Sequence, residues 1–196
     1  MSAYRCVLLF GPPGSGKGTQ GSKLGELEHC VHLATGDMFR GLDKDSDLGR
    51  EVAGYSSKGE LVPDELTVRL WRMHVLGLIA DGAYDPETDL LVLDGIPRSP
   101  GQAQAMDGDI DPVAIVHLVV TDMEAMVERM KSRAVSQGRA DDADENVVRN
   151  RFKVYDDQTA PVLGHYAEER IAEIDAQQTI DEVFAATRAV IDELLA

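Results

Sequence analysis

Residues 6–20, CVLLFGPPGSGKGTQ, constrain the fold of this chain more than any other stretch. Five consecutive apolar residues, Cys6 to Phe10, suit a strand buried on both faces, which is the habit of parallel sheets. Gly11 ends the run. A glycine-rich turn follows and closes on Gly16-Lys17-Gly18-Thr19, and residues 19–28 are expected to be helical. Strand, glycine loop and helix in that order cradle phosphate. The glycines let successive backbone N–H groups face one anion, the helix start adds its positive dipole end, and the lysine adds a full charge. The spacing is Gly11-x4-Gly16-Lys17, with Gly18 where the general motif has a Ser or Thr that holds magnesium, and Thr19 one residue later. Either Thr19 does that job from a shifted position, or the metal is held mostly by nucleotide oxygens and water. Gly16, Gly18 and Gly21 also match a dinucleotide fingerprint. That set begins too late, inside the helix, and no acid follows the next strand before Asp37, so it is set aside.

The rest of the chain alternates in the same manner. Further strands are expected at 31–34, 90–93, 113–120 and 170–174. Helices are expected through residue 57, at 63–80 with Pro63 in the first turn, at 102–106, from an Asp122 cap to Arg133, at 144–167 with a break or bend at Pro161, and from a Thr179 cap to Leu195. Leu66, Leu70 and Met73 share one helical face. Residues 135–142 are polar and contain glycine. The reading is α/β: a five-stranded parallel sheet with helices on both faces, in one domain. Ligands of such sheets bind beyond the carboxyl ends of the strands. The segments 11–19, 35–40 and 94–98 all follow strand ends, so they are expected to meet in one cleft.

Charge narrows the function. The formal net charge is −16, which argues against nucleic acid or an anionic membrane as partner. The acid excess reads as a solvated surface; adaptation to salt is the alternative. Any anionic ligand then needs positive charge gathered locally. Thirteen arginines against six lysines favour phosphate, which guanidinium grips bidentately. Arg40 and Arg98 each follow a strand-end motif, Arg129 and Arg133 share a helical face, Arg139 lies in the polar loop and Arg151 on the helix after it. A surface ion pair is the ordinary reading of one arginine alone, whereas six around a phosphate loop suit phosphoryl transfer. Asp94 closes an apolar strand. It is read as a magnesium ligand acting through water, with a helix cap or a salt bridge to Arg98 as alternatives. Asp141 and Asp142 beside Arg139 suggest a hinge latch, or a plain solvated turn. Cys6 and Cys30 are too few for a four-thiolate zinc site, and Cys6 is expected to be a reduced core thiol. His29, His32, His74, His117 and His165 show no partner in the sequence. No stretch approaches the ~20 apolar residues of a membrane span, and residues 1–5 carry no apolar signal-type run, so a cytoplasmic protein is expected.

These residues together resemble the adenylate kinase family of nucleoside-monophosphate kinases, in its short-lid form, over essentially the whole chain. The likeness rests on GPPGSGKGTQ at 11–20, TGDMFR at 35–40, GELVPDEL at 59–66, LDGIPRSPGQAQAM at 93–106, the arginines 129, 133 and 139, GRADD at 138–142 and RNRFKVY at 149–155. The Gly18-Thr19 pair is the family's own form of the loop. The resemblance implies a three-layer P-loop NTPase fold with a core of 1–34, 67–134 and 143–196, a mobile monophosphate-binding segment at 35–66 and a short lid at 135–142. It implies reversible transfer of a phosphoryl group from ATP to AMP, giving two ADP, with Mg2+ and without zinc, in a monomer.

By the same resemblance Gly14, Ser15, Gly16, Lys17, Gly18 and Thr19 would hold ATP phosphates, with Arg129 and Arg139 over ATP and Gln178 beside its adenine. Thr35, Gly36, Arg40, Gly95, Arg98 and Gln102 would face AMP, with the backbone of Glu60, Leu61 and Val62 lining that site. Arg98 and Arg40 would grip its phosphate and Gln102 would read its adenine. Arg133 and Arg151 would reach the transferring group, and Asp94 would hold magnesium through water. Three departures stand out: Ile96 where the family usually has Phe, one extra residue between Arg139 and Arg151, and Gln178 where Gly is usual. A UMP or CMP kinase is the nearest alternative, against which Thr35 speaks because the pyrimidine relatives tend to have Ala there. A nucleotide-binding protein without turnover is the alternative of another class.

Overall fold

The computed structural model describes residues 3–137 and 142–195. Five strands form one sheet in the order β2-β3-β1-β4-β5, all neighbours parallel. They are β1 Tyr4–Phe10, β2 Cys30–Ala34, β3 Leu90–Asp94, β4 Ile110–Val119 and β5 Ile171–Asp175. The central strand is the apolar run that precedes the glycine loop. Cys6, Val7 and Leu8 are fully buried there because helices cover both faces, each large side chain contributing ~1.5–3 kcal/mol of burial.

Alternation along the strands divides the core in two. Cys6, Leu8, Phe10, Leu91, Leu93 and Ile115 pack against Val68, Trp71 and Val75 of α4 (Asp64–Ala80) and Ala103 and Met106 of α5 (Pro100–Met106). On the other face Val7, Leu9, Val92, Val116 and Leu118 meet Leu24 of α1 (Lys17–Leu24) and Val183 and Ile191 of α8 (Ile180–Leu195). Two satellite clusters lie apart. One joins α6 (Met123–Gln137) to α7 (Glu145–Val154) through Met126, Met130, Val148 and Phe152. The other joins Val52 of α3 (Asp47–Ser56) and Val62 to Leu66 and Leu70. The short α2, Thr35–Arg40, follows β2 directly.

Several sequence expectations shift. Helix α1 stops at Leu24, where Gly25 is its C-cap, rather than reaching residue 28. Helix α6 continues past Arg133 to Gln137, because no breaker precedes Gly138, so 135–137 are helical and not loop. Residues 144–167 are not one helix bent at Pro161: α7 ends at Val154, a π-helical turn covers Tyr155–Thr159, and a 3-10 turn with Pro161 near its start covers Ala160–His165. Met73 leaves the face of Leu66 and Leu70 for solvent at 63% exposure. The satellite cluster that buries those leucines ends before it reaches Met73, while Trp71 and Val75 turn to the sheet. The expected caps form: Asp122 accepts from the Ala125 N–H at 3.0 Å, and Thr179 from the Glu182 N–H at 3.3 Å.

Strand register positions the site. Asp94 is level with Leu9 of β1 on one side and with Ala34 of β2 on the other. Gly11, Thr35 and Gly95 therefore all begin just past one rung of the sheet, and the three segments that follow strand ends open onto the same side. Asp94 sits on the strand next to the glycine loop, closer than chain order suggests.

Candidate active site

The glycine loop takes backbone angles that side chains resist: φ is 146° at Gly11, 81° at Gly14 and 101° at Gly16. Gly16 hands the chain to α1, whose first residue is Lys17. The Lys17 ammonium folds back over the loop and donates to the carbonyls of Gly11 at 2.6 Å and Pro12 at 3.0 Å. Burial pushes its pKa down to about 8; Asp94 opposes that shift, and the nearby charges of Arg98 and Arg133 add to it. Ser15 is buried, and its hydroxyl has no protein partner among the described residues.

On the β2–β3 side, Thr35 is buried and donates to the Gly95 carbonyl at 2.8 Å. Burial lowers the pKa of Arg98, as do the charges of Arg151 and Arg40, while Asp94 raises it. Arg40, Arg98 and Arg151 all line one cleft. Arg40 is half-exposed and pairs with Asp37 at 2.5 Å. Gln102 is buried, takes the Arg98 backbone N–H on Oε1 at 2.7 Å, and donates from Nε2 to Asp64 at 3.0 Å. Gly36, Glu60, Leu61, Val62 and Gly95 line the same cleft. Gly59 brings this wall against α7: a side chain there would come within 2.8 Å of the Val147 carbonyl, and Asn150 donates to the Lys58 carbonyl at 2.8 Å.

On the α6–α7 side, Arg129 donates to the Ala176 carbonyl at 3.4 Å, beside Gln178 on the rim. Asp142 is fully buried and gathers two guanidinium groups. Arg133 donates from Nε at 2.8 Å and lies 2.6 Å away through a second nitrogen, and Arg151 donates at 2.5 Å. Asp142 is thus a buried clamp between helices rather than part of a solvated turn. Arg139, with Gly138, Ala140 and Asp141, lies outside the described residues.

The Asp94 carboxylate reaches toward the loop: a side chain at Gly18 would come within 3.5 Å of its Oδ2. His32 approaches it to 4.0 Å, and burial lowers the pKa of that imidazole. Other histidines also have partners that their sequence neighbours did not reveal. His29 meets Asp89 at 3.1 Å, His117 meets Glu173 at 3.2 Å and His165 meets Asp107 at 2.7 Å. All are long-range pairs, which explains why sequence spacing hid them. Cys6 and Cys30 are buried free thiols.

One cleft of about 1630 Å³ is lined by Gly14 to Thr19, Thr35, Arg40, Asp94, Arg98, Gln102, Arg129, Arg133, Arg151 and Gln178. Every described site candidate therefore reaches it. A pocket for one small molecule is usually about 300–1,000 Å³, so the cleft has room for more than one such ligand. Sequence reasoning missed Asp64 as a contact of Gln102 and Ser99. Asp64 reads locally as an acid in the first turn of a helix, and no local signal announces its partners.

A parallel sheet, a glycine loop entering a helix and guanidinium groups facing them define a P-loop phosphate-binding protein of the phosphotransferase class. A family model described as adenylate kinase matches residues 9–171. Curated relatives named adenylate kinase include one from Mycobacterium tuberculosis, 41% identical over 94% of this chain and 98% of its own. Another, from Flavobacterium johnsoniae, is 36% identical over 96% of this chain and 98% of its own. A third, from Stenotrophomonas maltophilia, is 39% identical over 94% and 98%. The chain belongs to the adenylate kinase family, enzymes that transfer a phosphoryl group between ATP and AMP. No described helix is long and apolar enough to cross a membrane.

Proposed function

We propose that the chain catalyses reversible, Mg2+-dependent transfer of the terminal phosphoryl group of ATP to AMP, directly and in line, and so balances adenine nucleotides. The supporting observation is the convergence on one cleft of Lys17 and the guanidinium groups of Arg40, Arg98, Arg129, Arg133 and Arg151. Phosphoryl transfer requires positioning and charge stabilisation more than covalent help; the guanidinium groups are not nucleophiles, and Lys17 acts here as a cation. The AMP phosphate oxygen attacks, so no enzyme-bound phosphoryl group forms.

In this reading Gly14 to Thr19 hold the ATP phosphates. The Ser15 hydroxyl, which has no partner among the described residues, and the loop N–H groups are the donors, with Lys17 exchanging its loop carbonyls for phosphate oxygen. Arg129 and Arg139 cover ATP, and Gln178 borders its base. Thr35, Gly36, Gly95, Gln102 and the backbone of Glu60 to Val62 form the AMP wall, with Arg40 and Arg98 on its phosphate. Arg133 and Arg151 meet the moving group. Asp94 beside Gly18 offers hard oxygen next to the phosphate loop, which fits magnesium held through water. Magnesium held there would supply positive charge to offset that of the phosphates. Residues 35–66 and the 135–142 lid close over the substrates and exclude water.

The test is ADP formation from ATP and AMP with and without Mg2+, together with the stereochemistry at a chirally labelled phosphorus. Metal-dependent ADP formation with inversion is expected. Retention would establish a covalent intermediate, faster turnover of UMP or CMP than AMP would reassign the acceptor, and nucleotide binding without product would make the chain a sensor.

A further inference from the structure

Asp64 stands at the start of α4, away from the phosphate loop, and is only partly buried. Its Oδ1 accepts from the Ser99 hydroxyl at 2.7 Å and from Gln102 Nε2 at 3.0 Å. Ser99 in turn accepts the Gln102 backbone N–H at 3.0 Å. The other oxygen of Asp64 lies where a side chain on Gly101 would be, 2.4 Å from its Cβ position, so the glycine leaves the carboxylate its place. Side chain and backbone of Gln102 are thus both tied to Asp64, one directly and the other through Ser99.

The chemistry of these partners removes a freedom that a glutamine normally has. An amide side chain can turn over and exchange its oxygen and nitrogen. Here the Arg98 N–H at 2.7 Å only donates and the Asp64 carboxylate only accepts. A turned amide would set N–H against N–H and oxygen against oxygen. Gln102 is 2% exposed, so water is not at hand to repair either clash. Once both bonds are made, the amide keeps one N–H and one oxygen lone pair, in a fixed left-to-right order, for whatever enters the cleft.

We infer that Asp64 is a specificity-determining positioning residue, which sets the Gln102 amide to accept a 6-amino purine and refuse a 6-oxo purine. Adenine presents an amino donor beside a ring acceptor. Hypoxanthine and guanine present a carbonyl acceptor beside a ring donor, the same pair reversed. An amide free to turn over matches either edge; an amide held one way matches one. This inference rests on Gln102 facing the acceptor base, as proposed above.

The test compares Asp64→Asn with the unaltered enzyme, using AMP and IMP as acceptors. IMP carries the reversed edge without the extra 2-amino group of GMP. Asn can donate or accept, so of the two contacts that fix the Gln102 amide only the Arg98 N–H keeps its direction, and turning the amide over then costs one mismatch instead of two. The ratio of kcat/KM for IMP to that for AMP should rise about tenfold or more, mainly through the two acceptor KM values, with KM for ATP within about twofold. A ratio unchanged within about twofold in a folded variant overturns the inference. Gln102→Ala separates this from the underlying reading: if it leaves KM for AMP unchanged, Gln102 does not face the base at all. Nuclear magnetic resonance of the unaltered protein gives a check that needs no variant. One Gln102 Nε2 hydrogen should exchange with solvent much more slowly than in a free glutamine, and exchange of both at the free rate would show that Asp64 does not hold the amide.

Discussion

Asp142→Asn tests the buried clamp between α6 and α7. The substitution keeps size and shape but removes the negative charge that Arg133 and Arg151 share. One amide oxygen can still accept from one arginine, while the amide nitrogen faces the other, donor against donor. Hydrogen bonds to charged groups contribute about 1.5–3 kcal/mol each, and one or two of the bonds to this fully buried carboxylate are lost. Some of that loss returns as hydration, because the Arg133 and Arg151 side chains are 30% and 20% exposed. The expected net cost is about 2–4 kcal/mol, short of the ~3–5 kcal/mol for fully buried pairs. For a chain of this size that lowers Tm by roughly 5–15 °C, read by calorimetry or dye-based melting at fixed pH. The loss should persist at about 1 M salt, where exposed pairs are screened. A Tm within about 1 °C of the unaltered protein, or a loss that salt erases, would refute the reasoning, since either outcome means that water already solvates the carboxylate.

Lys17→Met should lower kcat by about 10²-fold or more with the fold intact and Tm not lowered, as measured by coupled ADP assay and melting; activity within a few-fold would remove Lys17 from the reaction. Arg98→Ala should raise KM for AMP far more than KM for ATP, and equal effects would contradict its placement on the acceptor side. The pH dependence follows from Lys17, whose pKa falls to about 8 in the folded, unliganded protein. Phosphate oxygens favour the charged ammonium, so kcat/KM for ATP should decline as pH rises through about 8, and a flat profile to pH 10 would refute this. The same shift has the opposite sign for folding. Below pH about 8 the folded state carries the penalty of a buried charge, and from there toward the ordinary lysine value the unfolded chain binds more protons, so this group's contribution to stability rises with pH.

Much of the fold was legible because its signals are local. The five apolar runs, the glycine break after Phe10 and the capping residues Asp122 and Thr179 each act within a few residues, and all five strands appear near their expected places. Element ends were less legible. The π-helical turn at Tyr155–Thr159 ends α7 well before Pro161, and Met73 shows that a helical face is buried only as far as something lies opposite it.

The sequence by itself determined that a phosphate cradle exists and that arginine-bearing segments would open beside it, because strand ends in a parallel sheet share one edge. The tertiary structure alone decided what each group touches. Asp142 joins two helices, Asp64 reaches Ser99 and Gln102 from far along the chain, and the histidines find carboxylates dozens of residues away. The physical reason is range. Backbone preference and apolar periodicity act over a turn or two, whereas a hydrogen bond or ion pair depends on distances that exist only once the layers have packed.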